Sequence, residues 1–474
     1  MSARAGEHLS SADAAWLHMD RPTNLMVINA VLRFDGRLGP DELFAVVRER
    51  LVDRYPRFSE RVVDGGMPLA GPHWERDPDF DLARHLHARS LPAGRGERRL
   101  RELVGSLASV PLDRNRPLWE MHLVDGPGRD STVIARMHHC IADGIALTQV
   151  MLSLTDPVPG RPSSRPRAPA PSVASSGALT QLVRPAARAL SAASATVRTA
   201  GGLAAGATRE TREAIARPAR VLELGSAVAA DGRALAKLVF SRPDTRTVLR
   251  GDLGAERSVA WSKTLSLEEV KRIAHAHDAT VNDILVAAVA GALRGYLFSR
   301  GEEPREIRAI VPFNLRPLER LAPRELGNRF GLVFLTLPVD RAFRSERIAE
   351  LKRRMDAIKD SPEGPVSYAV LEAAGLAPAQ IEGRVIDIFS AKGSLVMTNV
   401  PGPREAVHLA GVPMRSVLVW APTGGSVGTS VSIFSYAGGV TIGLLAHTRL
   451  VPDPERIVAR LHREVAAMSK LAAG

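Results

Sequence analysis

Cysteine is almost missing from this chain of 474 residues. Cys140 is the single one, so no internal disulfide can form, and a reducing cytosol is the expected compartment. Long apolar runs are missing too. The opening residues Met1 to His8 lack the apolar core of a signal peptide, so no export is expected. The longest candidate span, Ile284 to Leu293, has about half the length a bilayer crossing needs. It runs into Arg294, and no membrane-spanning segment is expected. Aromatic residues make up only 4%, and acidic residues fall short of basic ones, 51 against 63, leaving a formal charge of +12.

What is present is an ordinary globular complement. Hydrophobic residues reach 45%, enough for a core in each of two domains of similar size. The surplus charge is concentrated between those domains: Arg161 to Arg250 holds 15 Lys+Arg against 5 Asp+Glu, nearly the whole excess. The expected organisation is therefore an N-terminal domain over 1–156, a basic linker over 157–253 and a C-terminal domain over 254–474. The linker opens with a Pro, Ser and Arg-rich run, Asp156 to Pro171, and continues as alanine-rich text such as Leu179 to Arg198 and Thr208 to Leu224. Three readings compete for it. A solvated linker suits its lack of aromatics. Arginines beside Leu and Val stripes suit contact with anionic headgroups, at about 1 kcal/mol per basic residue. Nucleic-acid binding is the weakest, because no aromatic interleaving or known motif accompanies the charge.

Hydrophobic periodicity alternates between strand and helix. Strands are expected at Leu25 to Phe34, Thr132 to Met137, Ile307 to Pro312, Val333 to Val339, Leu395 to Val400, Ser416 to Trp420, Thr429 to Tyr436 and Val440 to Ala446. Helices are expected at Asp41 to Tyr55, Ile145 to Leu152, Leu267 to His277, Val281 to Phe298, Arg344 to Lys359 and Pro454 to Leu471.

The chemistry centres on Met137-His138-His139-Cys140-Ile141-Ala142-Asp143-Gly144, at a strand-to-helix turn. Adjacent residues of extended backbone face opposite ways, so only one of the two histidines can aim at a substrate. A histidine titrating near neutrality suits the activation of an alcohol. Asp143 stands where a helix N-cap belongs. A pair of core histidines bonded to backbone carbonyls is the plain alternative. His139 and Asp143 lie one helical turn apart but lack a third ligand at a spacing such as His-Glu-x-x-His, so no metal is expected. Cys140 reads as a small buried residue rather than a nucleophile. Gly424-Gly425-Ser426-Val427-Gly428 satisfies Gly-x-Ser-x-Gly, but the alternating, β-branched text after it predicts a strand where a nucleophile elbow needs a helix.

Other motifs extend the pattern: Leu9-Ser10-Ser11-Ala12-Asp13, Arg116-Pro117-Leu118-Trp119-Glu120, Val281-Asn282-Asp283, Val311-Pro312-Phe313-Asn314-Leu315-Arg316-Pro317, Gly327-Asn328-Arg329-Phe330-Gly331 and Thr398-Asn399-Val400-Pro401-Gly402-Pro403. In this order, with His-His-x-x-x-Asp-Gly, they resemble the bacterial wax ester synthase/diacylglycerol acyltransferase family from Leu9 to about Leu461, excepting most of 157–253. Two stretches depart from the family: the residues after Asp20, where Pro-Met-His is usual, and His447, where aspartate is usual. The resemblance implies an α/β fold of two chloramphenicol acetyltransferase-like sandwich domains with a tunnel between them. It implies acyl-CoA-dependent O-acyl transfer to a diacylglycerol or a long-chain alcohol, giving triacylglycerol or wax ester. In that reading His139 is the general base, His138 packs behind it, and Asp143 orients the turn and meets an arginine such as Arg316, a purely structural part being the favoured one for Asp143. Asn282 donates to the oxyanion, or else caps the helix after Thr280. No cofactor is expected beyond acyl-CoA as co-substrate, and the expected location is cytoplasmic, peripheral to the inner membrane or lipid bodies. The alternative is a lipid-binding or condensation-like member of the same superfamily that makes no storage lipid.

Overall fold

The computed structural model describes residues 7–64, 71–91, 96–126, 128, 130–157, 241–314, 326–328, 330–359, 367 and 387–472. The basic stretch 157–253 lies largely outside them. Along the N-terminal half run α1 (Ser11–Met19), β1 (Val27–Phe34), α2 (Pro40–Val47), β2 (Glu60–Val63), β3 (His73–Arg76), β4 (Leu86–Ser90), α3 (Gly96–Ala108), β5 (Trp119–Asp125), β6 (Ser131–His138), α4 (Gly144–Ser153) and β7 (Asp156–Pro157). The second half contributes β8 (Arg257–Trp261), β9 (Leu265–Ser266), α5 (Leu267–Ala276), α6 (Val281–Ser299), β10 (Ile307–Asn314), β11 (Phe330–Leu337) and α7 (Arg344–Lys359). It closes with β12 (Leu395–Pro401), β13 (Val407–Leu409), β14 (Val412–Trp420), β15 (Thr429–Tyr436), β16 (Gly439–His447) and α8 (Pro454–Leu471).

Two mixed sheets result. The first runs β4-β5-β6-β1-β14-β13-β7, and the second runs β11-β10-β12-β15-β16-β8 with β9 added on β16. The boundary expected at 254 does not separate them. β14, from the C-terminal half, pairs with β1 from Asn29 opposite Trp420 to Phe34 opposite Met414. A shared core of Trp261, Trp420, Leu445 and Val31 with Leu100 and Val104 of α3 joins the sheets. At Gly105 a Cβ would lie 2.8 Å from the Arg257 carbonyl, so glycine lets α3 approach β8 this closely.

Most expected elements are observed, with informative differences. β1 begins at Val27 instead of Leu25, because the Asp20 carboxylate accepts from the Met26 amide at 2.7 Å and Arg21 pairs with Asn24 in a turn. The helix from 40 passes into a π turn over Arg48–Val52 and ends there, short of Tyr55. β14 starts at Val412, four residues before the expected strand. α6 ends one residue beyond the expected Phe298, and at 19 residues it is long and apolar enough to cross a membrane. Here 72% of it is buried within the fold. Its Ile284, Leu285, Val289, Leu293 and Leu297 belong to the second core, with Val270 of α5, Leu351 of α7 and Leu461 of α8. Each such large apolar side chain stabilises the fold by roughly 1.5–3 kcal/mol.

Candidate active site

The histidine turn is held from both halves of the chain. Ser10 caps α1 by accepting from the Asp13 amide at 3.1 Å, which faces Asp13 inward with 1% of its surface exposed. The Asp13 carboxylate accepts from the Asn328 backbone amide at 3.1 Å and from its side-chain amide at 2.7 Å. Asn328 also donates to the His139 carbonyl at 2.7 Å. Arg57 completes the frame: its guanidinium lies 3.5 Å from Asp13 and donates to the Ile141 carbonyl at 2.8 Å. Gly327, at φ +111, turns the chain so that its carbonyl accepts from the Asp143 amide at 3.4 Å. Burial raises the Asp13 carboxyl above its ordinary range, opposed by the charge of Arg57 and the hydrogen bonds from Asn328 and Ser10.

His139 sits on this frame. Its amide donates to the Met26 carbonyl at 2.8 Å. Its ring stacks on Trp16 with centroids 4.1 Å apart and 26° between planes, and Phe330 lies 5.6 Å away. Burial pulls the imidazole down to about 4, against the opposing charge of Asp143. The ring is therefore neutral at pH 7 and able to accept a proton. His138 plays a different part. Its Nδ1 accepts from the Cys140 amide at 3.1 Å, which leaves the proton on Nε2, 3.8 Å from the Asp20 carboxylate. Burial, then Arg114 and His139, bring it down to about 3. β6 ends at His138 and His139 stands in the turn that follows, so the two rings have different partners, Cys140 and Asp20 for His138 and Trp16 for His139.

Asp143 caps α4: its carboxylate accepts from the amides of Ile145 and Ala146 at 3.1 and 2.9 Å. Arg316, the expected partner, lies outside the described residues. Cys140 is fully buried, and burial pushes its thiol well above the ordinary range. Asn282 does not cap α6. Thr280 does, in a capping box closed by Asp283. Asn282 instead accepts from the Asn399 side chain at 2.5 Å, joining two of the motifs, and among the described residues no hydrogen bond ties it to the histidine turn.

Ser426 accepts from the Arg250 guanidinium at 2.8 Å and is followed by β15, so no elbow forms. His447, at the end of β16, is buried. Its Nδ1 donates to the Gly254 carbonyl at 2.7 Å and its Nε2 accepts from Thr423 at 3.4 Å, so it pins loops together as a neutral ring. Burial, then the charge of Arg257, brings it to about 4. Sequence reasoning gave no role to Trp16, Arg57 or Asn328. Trp16 lies three residues after the Asp of the Leu-Ser-x-x-Asp element and Asn328 lies inside a motif, whereas nothing in sequence marks Arg57.

Residues 9–285 match the family described as the wax ester synthase/diacylglycerol acyltransferase catalytic domain, and 326–469 match its C-terminal domain. A Mycobacterium tuberculosis (strain CDC 1551 / Oshkosh) protein bearing the name diacylglycerol O-acyltransferase is 30% identical over 95% of this chain and 87% of its own length. The wax ester synthase/diacylglycerol acyltransferase from Marinobacter aquaeolei VT8 shares the fold at a TM-score of 0.68 and 20% identity, covering 98% of this chain and 100% of that one. A variant starter condensation domain of the rhizomide synthetase, in complex with C8-CoA, does so at 0.53 and 14%, covering 99% and 95%. The fold is the two-domain chloramphenicol acetyltransferase-like one.

Proposed function

Because the chain belongs to the wax ester synthase/diacylglycerol acyltransferase family, we propose that it moves a fatty acyl group from acyl-CoA to the hydroxyl of a diacylglycerol, a long-chain alcohol or both, with His139 as general base. The observation that carries the assignment of the base is the double hold on His139, its carbonyl bonded by Asn328 and its ring stacked on Trp16. Its Nδ1 is enclosed, so exchange runs through Nε2. The acceptor O–H gives its proton to Nε2 as oxygen bonds to the thioester carbonyl carbon. The tetrahedral oxyanion then collapses, the C–S bond breaks, and the proton passes to sulfur to release CoA. Asp143 steadies the imidazolium between these steps. The Asn282 side-chain amide, its oxygen already engaged by Asn399, is the proposed oxyanion donor. Transfer is direct, since Ser426 is bonded to Arg250 in a strand-to-strand loop and Cys140 is held as a thiol.

Purified protein given labelled acyl-CoA with diacylglycerol or hexadecanol, and resolved by thin-layer chromatography, tests this. Triacylglycerol or wax ester should form, and His139→Ala should reduce it by about 10²- to 10⁴-fold with the fold intact. His138→Ala should lose stability as well as rate. Near-normal transfer by His139→Ala rejects the base.

The reaction's lipid acceptor also motivates a proposed site of action in the cytoplasm, at the surface of the inner membrane or lipid bodies, with 157–253 as the contact. Sedimentation with anionic vesicles should weaken with added salt and with Arg209, Arg212, Arg217 and Arg220 changed to glutamine. Unchanged binding returns the stretch to a plain linker.

A further inference from the structure

Away from the histidine turn, the edge of the first sheet brings three ligand-type side chains together. β4 and β5 run parallel with His87 opposite His122, and the two rings stack at 4.7 Å. Glu120 lies two residues before His122, on the same face of β5. Its Oε1 is 3.0 Å from His122 Nε2 and its Oε2 is 3.9 Å from His87 Nε2. One ligand atom from each residue lies within 4.8 Å of the other two. An ion held tetrahedrally, with bonds of about 2.0–2.2 Å, spaces its ligand atoms about 3.3–3.5 Å apart. The 3.9 Å between Glu120 Oε2 and His87 Nε2 is a few tenths of an ångström wider than that spacing, and all three ligand atoms lie within 4.8 Å of one another.

We propose that His87, Glu120 and His122 form a binding site for a zinc-class divalent cation, clamping edge strand β4 to β5. Two imidazoles and one carboxylate suit zinc and its transition-metal neighbours, whereas magnesium and calcium prefer oxygen throughout. His122 is 2% exposed and His87 37%, so the site has a fixed inner ligand and an outer one open to water as the fourth. Two arginines shape it. Arg136 bonds Glu120 Oε1 and leaves Oε2 for the ion. Arg89 donates to His122 Nδ1 at 3.3 Å, which keeps the His122 proton on Nε2. Metal binding needs that Nε2 lone pair, so the proton shifts to Nδ1 and the exposed Arg89 side chain turns out to solvent. Sequence reading looked for ligands at helical spacing and so passed over a set assembled across neighbouring strands.

The test uses full-length protein stripped with a chelator and titrated with zinc against a chromophoric chelator. A parallel titration uses cobalt(II), whose visible absorption reports tetrahedral nitrogen and oxygen coordination. One equivalent should bind. His87→Ala, at an exposed position and checked for folding by circular dichroism, should bind at least about 100-fold more weakly, since loss of even an outer partner costs 10- to 100-fold. Glu120→Gln, which can still bond Arg136, should also weaken it, and Arg89→Ala should tighten it by freeing Nδ1 and removing a positive charge. Zinc should raise the melting temperature of the wild type and not of His87→Ala. No saturable zinc binding in the wild type, or binding equally tight in His87→Ala, overturns the site.

Discussion

Trp16 shows how a single side chain sets the working state of another. Stacked on His139, it covers the imidazole face that would otherwise meet water, and so contributes to the burial that holds the ring neutral. Since His139 titrates at about 4 instead of 6.5, its neutral form persists as pH falls. kcat/KM should stay on its plateau through pH 6.5 and drop only toward about 4. Removing the indole lets water in, so Trp16→Ala should move the acid limb up toward 6.5 and cut kcat by up to about 10²-fold through lost alignment. Trp16→Phe should keep the low limb and most of the rate. A limb that stays put in Trp16→Ala would mean that the stack has no influence on the ring.

At the scale of elements, the clamp on the 139–143 turn joins three segments through one asparagine. Asn328 meets Asp13 across 315 residues of sequence and His139 across 189. Asn328→Leu fills similar space and keeps the backbone amide bond to Asp13, but it leaves the buried carboxylate short of one hydrogen bond and the His139 carbonyl without its side-chain donor. It should cost roughly 1–3 kcal/mol in denaturant unfolding and lower kcat more than it raises KM. Loss of stability with unchanged kcat would make Asn328 structural alone. Such long-range pairs explain what sequence could and could not tell. Some elements, Arg344–Lys359, Thr429–Tyr436 and Pro454–Leu471, were legible to the residue. The start of β14 was not, because Pro413 and Arg415 interrupt its apolar run, and short exposed strands such as β4 carry too little pattern. His139, His138 and the capping role of Asp143 depend on neighbours in sequence and were legible. The hold of Arg57 on Ile141 depends on tertiary contact across 84 residues, and the capping role offered to Asn282 fell to Thr280, with Asp283 closing the capping box.

For the molecule as a whole, buried neutral histidines couple folding to pH. His138 stands at about 3, and His139 and His447 at about 4, against an ordinary value near 6.5. Between 6.5 and about 4 the unfolded chain binds protons that the folded chain refuses. This contribution to stability is therefore fully present above 6.5 and declines below it, by up to about 1.4 kcal/mol per pH unit for each histidine. Asp13, raised by burial, works in the opposite direction. The urea midpoint should fall between pH 7 and pH 5, and His447→Gln should flatten the fall; a midpoint constant over that range would contradict the neutral burial of these rings. The placement of β14 beside β1 has a consequence of another kind, in the order of synthesis. β1 and β6 leave the ribosome early, but the strand that covers the other edge of β1 ends at Trp420. At about 5–20 residues per second, that edge waits tens of seconds with its backbone groups unpaired. An uncovered central strand is a template for association with other chains. Nascent or truncated forms ending before residue 412 therefore carry their greatest aggregation hazard along β1, and a separately supplied C-terminal half is the natural remedy.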